Sequence, residues 1–115
     1  MRIEVRKNGV PVAIITFRTR PENFDSDYER IKFFKELHGW KQTVPRNGKK
    51  YLYHRNGILD EVPHIKIADS AFMVAMENMK RVMDYFDEWS DKVECDMFQV
   101  MMNDRKKLEQ LFANE

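Results

Sequence analysis

The chain has one cysteine, Cys95, so an internal disulfide is excluded and a reducing compartment such as the cytoplasm is expected. Its four glycines and four prolines are too few for a flexible linker, and no low-complexity tract divides its 115 residues. The longest apolar stretch, Val10 to Ile15, is far too short to cross a bilayer. Arg2, Glu4, Arg6 and Lys7 alternate with Ile3 and Val5, a pattern that reads as a strand rather than a signal peptide. No G-x-S-x-G, P-loop or Rossmann glycine pattern occurs, so no catalytic residue is assigned. His38, His54, His64 and Cys95 lack ligand spacings such as C-x-x-C or H-x-x-x-H, and neither a metal nor a cofactor is expected. Catalysis without a motif would have to use His54, His64 and Asp60 or Glu61. Cys95, between Glu94 and Asp96, lies in negative charge that raises a thiol pKa and argues against a nucleophile.

What the chain does have is a division of charge. Residues 1–66 carry 14 Lys/Arg against 8 Asp/Glu, whereas residues 67–115 carry 6 against 11 and seven of the eight methionines. The net charge of +1 hides a basic half and an acidic, Met-rich half. Such asymmetry points to an anionic partner or to self-association. With 43% hydrophobic and 34% charged residues, the chain is expected to form one globular domain over 1–115, sheet-rich over 1–67 and helical over 69–115.

Local patterns predict an α+β fold. Asn8-Gly9 should turn a strand at Ile3–Lys7 into a second strand, Val10–Thr19, which Pro21 ends. Ser26 and Glu29 fit a capping box for a helix with Tyr28, Ile31, Phe34 and Leu37 on one face, stopped by Gly39. Asn47-Gly48 and Asn56-Gly57 then separate Trp40–Arg46, Lys49–Arg55 and Ile58–Ile67, which predicts a three-stranded meander. The expected sheet is therefore mostly antiparallel and five-stranded, in the order ββαβββ. Asp69 or Ser70 should cap a long helix whose stripe is Phe72, Ala75, Met79, Val82, Phe86, Trp89 and Val93. A terminal helical segment follows, and residues 94–102 fit a strand and a helix equally.

Two surfaces stand out. By strand alternation Lys49, Tyr51, Tyr53 and Arg55 share one face, and with Arg46 they are the candidate ligand-binding residues; Lys41, Arg18 and Arg20 are outlying cations. Tyrosines flanked by cations suit a stacked base with its phosphate, though lysines that merely guard an edge strand look the same. The expected function is a non-enzymatic binding or inhibitory module for a nucleotide or nucleic-acid backbone, as a homodimer with Met79, Met83, Phe86 and Trp89 at its interface. The alternative is a protein antagonist acting through the acidic, aromatic face of the long helix (Asp84, Asp87, Glu88, Asp91, Glu94 and Asp96, with Tyr85, Phe86 and Trp89). Small motif-free domains of that kind are common among phage and mobile-element accessory proteins. No membrane role is expected.

Overall fold

A computed structural model describes residues 9–112. The architecture is α+β, with antiparallel strands and three helices. Strand β1 (Val10–Thr19) lies in the interior of a four-stranded sheet of order β4-β5-β1-β6. Here β4 is His64–Ala68, β5 is Ala71–Ala75 and β6 is Val93–Met102. A separate two-stranded sheet is formed by β2 (Trp40–Arg46) and β3 (Lys49–Arg55).

β1 is apolar on both faces because both are covered, as parity along the strand shows. Ala13, Ile15 and Phe17 join a cluster with Phe33 and Leu37 of α1 (Asp27–His38) and Val82, Tyr85 and Phe86 of α2 (Met76–Glu88). Val12 on the opposite face packs with Met73, Leu108 and Leu111, the last two from α3 (Arg105–Leu111). Phe33 anchors the larger cluster through edge contacts to Phe17 at 5.7 Å and Trp89 at 5.3 Å, and Tyr85 Oη donates to its carbonyl at 2.7 Å.

Several expectations needed correction. The sheet divides four plus two rather than forming one of five strands. Both neighbours of β1 are taken, by β5 along Val12–Thr16 and by β6 along its whole length. The proposed Ile3–Lys7 hairpin partner lies outside the described residues. The meander ends after β3, because Asn56-Gly57 leads into a 3₁₀ turn at Ile58–Glu61 instead of a hairpin. Gly57 has ordinary extended φ, and what it supplies is room: a Cβ there would run into the Gly39 nitrogen and lie 2.6 Å from the Leu37 oxygen. The long helix begins at Met76, and Asp69-Ser70 is instead the tight turn between β4 and β5. Phe72 and Val74 meet α2 while Met73 meets α3, so this apolar run serves two faces and mimicked helical spacing. Residues 93–102 are a strand, and Asp104 caps the short helix after it by accepting from the Lys107 amide at 3.2 Å. In α1 the buried side chains are Phe33 and Leu37, while Tyr28 and Ile31 are exposed. Among the described residues, no helix is long and apolar enough to cross a membrane.

Candidate functional site

β2 and β3 pair from Trp40–Arg55 to Arg46–Lys49 and make few contacts with other elements, so they form a ribbon standing off the body. Asn47 (φ 53°) and Gly48 (φ 75°) close it with the positive φ values a type I′ turn demands. Its root is fixed by close backbone approach of Gly39 and Gly57 and by Asp60. Asp60 Oδ2 accepts from the Gly57 amide at 2.8 Å and lies 3.0 Å from His54 Nε2. Burial works to raise this carboxyl, but the Gly57 amide and His54 outweigh it and hold Asp60 below its ordinary range.

The register sorts the ribbon into two faces. One carries Trp40, Gln42, Val44 and Arg46 opposite Arg55, Tyr53, Tyr51 and Lys49 respectively. The five candidate ligand residues therefore share a face. All five are exposed, Tyr51 at 41% and Tyr53 at 39%. Arg55 Nε donates to Gln42 Oε1 at 2.6 Å, and its guanidinium sits 5.7 Å from the Tyr53 ring centre, so cation and ring are held together. Lys41 points to the opposite face with Leu52, His54 and Lys50. Residues 40–55 contain five Lys/Arg and no Asp/Glu, leaving the ribbon without internal neutralisation.

Arg18 and Arg20 are elsewhere. Both reach across to Glu94 on β6, Arg20 at 2.7 Å and Arg18 through Nε at 3.0 Å as well as Nη2. Those two donors pull the Glu94 carboxyl down to about 2. The acid–base group is only partly assembled: His54 meets Asp60, but Glu61 pairs with Arg81 at 2.6 Å and His64 Nδ1 with the Val62 carbonyl at 2.9 Å. No cluster of three or more metal-ligating side chains occurs among the described residues.

The residues assigned to an interface face inward. Phe86 is 2% exposed within the core, and Met79, Met83 and Trp89 are partly buried against that cluster. Tyr85 is buried too, so the acidic surface of α2 presents its carboxylates without these two rings.

Sequence reasoning missed one region. A groove of about 290 Å³ runs between α1 and the ribbon root, lined by Tyr28, Ile31, Lys32, Lys35, Glu36 and Trp40. The Lys35 amine lies 4.5 Å from the Trp40 ring centre. Trp40 thereby extends the aromatic and cationic face toward α1. The signal was present as the i, i+3, i+4, i+7 series Tyr28, Ile31, Lys32, Lys35, whose apolar members pass for a core stripe. No protein-family model, curated protein or solved structure matches the chain.

Proposed function

We propose that the protein is a cytoplasmic, non-enzymatic binding module that holds an anionic ligand, a nucleotide or nucleic-acid backbone, on the β2–β3 ribbon. The observation that carries this reading is the exposed face on which Arg46, Lys49 and Arg55 flank Tyr51 and Tyr53, in a ribbon devoid of acids. The cations neutralise phosphate, and the tyrosine rings stack on bases, a contact worth about 1–3 kcal/mol per base. Trp40, at the root of the same face, adds a third ring.

Fluorescence anisotropy with labelled single-stranded and duplex oligonucleotides and with a labelled nucleoside triphosphate tests the reading. Tyr53→Ala should lower affinity in a base-dependent way, whereas Lys49→Ala should lower it for every sequence and reduce the salt slope by about 1. If wild-type protein binds none of the three probes at low salt, the ribbon is not an anion site.

A further inference from the structure

Among the described residues, the two edges of the main sheet, β4 and β6, are built in opposite ways. β4 carries several features by which proteins blunt an open edge: it is five residues long, follows Pro63, includes Lys66, and has a bulge between Lys66 and Ala68. β6 has none of these. It runs ten residues in unbroken register with β1, contains neither proline nor a basic residue, and is uncharged from Met97 to Met102. It also exposes large apolar side chains on both faces, Met97 at 38% and Met101 at 52% on the α1–α2 face and Phe98 at 53% on the α3 face. A long, apolar edge in unbroken register persists in a fold when something pairs with it.

We propose that β6 is a homodimer interface, pairing antiparallel with β6 of a second copy across a two-fold axis so that two four-stranded sheets become one of eight. This goes beyond the ligand reading and does not rest on it. Charge selects the occupant. Asp91 lies just before β6 and Asp96 near its start, beside Glu94, which Arg18 and Arg20 already hold; Arg105 and Lys106 follow its end, with Lys107 paired to Asp104. Antiparallel pairing brings each acidic end beside the basic end of the other copy, and parallel pairing would set acid against acid. The strand alternation also chooses a register. With Phe98 on the axis it meets its own counterpart, Met97 lies opposite Gln99 and Cys95 opposite Met101. Asp96 then lies opposite Val100 and Glu94 opposite Met102, so no carboxylate opposes another. Because the contact is isologous it closes on itself, consumes both β6 edges, and leaves only the protected β4 edges outside.

Sedimentation velocity of the full chain over a concentration series should show a monomer–dimer equilibrium. Phe98→Lys and Met101→Lys, both at exposed positions, should each raise the dimer dissociation constant about ten-fold or more while the circular dichroism spectrum is kept. In a Cys95→Ser background, oxidised Phe98→Cys should cross-link as a covalent dimer, and Glu88→Cys on the exposed side of α2 should not. A wild-type chain that stays monomeric at its highest soluble concentration overturns the proposal and gives the edge to an extended segment of another protein. A dimer that survives both lysine variants, or that cross-links through Glu88→Cys, overturns it in favour of the helix. Oligonucleotide anisotropy on Phe98→Lys reads the ribbon separately, so the two proposals fail independently.

Discussion

At Glu94 one carboxylate receives two guanidinium groups, and acid titration should make that visible. Its pKa is pulled from the ordinary 4.5 down to about 2, so in this region the unfolded chain holds the proton more tightly than the folded one. The stabilisation is present above 4.5 and is lost as pH falls through about 2. Thermal melts between those limits should show wild type losing stability with acid and Glu94→Gln following a flatter course. Equal slopes would mean that the two arginines do not hold Glu94 in solution. Cys95, next in the chain, behaves oppositely. Burial, then Asp96 and Asp87, push its thiol up to about 11, and its sulfur rests 3.8 Å from Met83 Sδ. Iodoacetamide at pH 8 should alkylate it about a hundred-fold more slowly in native than in urea-unfolded protein, as its smaller thiolate fraction requires. The direction of that shift was legible from Asp96, whereas Glu94 plays no part in it and burial, its main cause, was not legible. Alternation turns Cys95 toward α2 and its sequence neighbours to the other face, so burial dominates.

Among the elements, those whose punctuation is local were legible: Ser26 caps α1 by accepting from the Glu29 amide, Gly39 ends it, and Asn47-Gly48 turns the ribbon. The face of the ribbon followed from alternation alone, and with it the grouping of Lys49, Tyr51, Tyr53 and Arg55. What failed depended on partners remote in sequence. Phe72 and Ala75 continue the α2 stripe only on paper, because β1 and β4 recruit Ala71–Ala75 as a strand. Tyr28 and Ile31 continue the α1 stripe, yet Phe33 and Leu37 reach the core. Asn56-Gly57 was read as a turn, whereas its glycine is needed for contact with Gly39. Gly57→Ala should therefore cost about 1–3 kcal/mol, as overpacking does, and should weaken ligand binding by displacing the ribbon root. Chemical denaturation and anisotropy on the same variant check both effects. An unchanged midpoint would show that the backbone gives way without strain.

Across the whole molecule, ion pairs join the two halves inside one protomer. Arg18 and Arg20 reach Glu94, Glu29 reaches Lys92 at 2.6 Å and Glu61 reaches Arg81 at 2.6 Å. Of these, the pairs of Arg18 and Arg20 with Glu94 match cations of the basic half to an acid of the acidic half, whereas Glu29–Lys92 and Glu61–Arg81 run the other way, so the contacts join the halves without cancelling the asymmetry along the chain. The ribbon keeps an unbalanced positive charge because none of its cations is within ion-pair distance of a carboxylate among the described residues. The interior position of β1 has a further consequence, for biosynthesis. A ribosome releases Val10–Thr19 well before the partners of that strand, Ala71–Ala75 and Val93–Met102. Until these emerge an apolar strand with two open edges waits while α1 and the ribbon form beside it. Pairing β1 therefore closes long loops, and non-local pairing of this kind slows folding and leaves apolar strands exposed during synthesis.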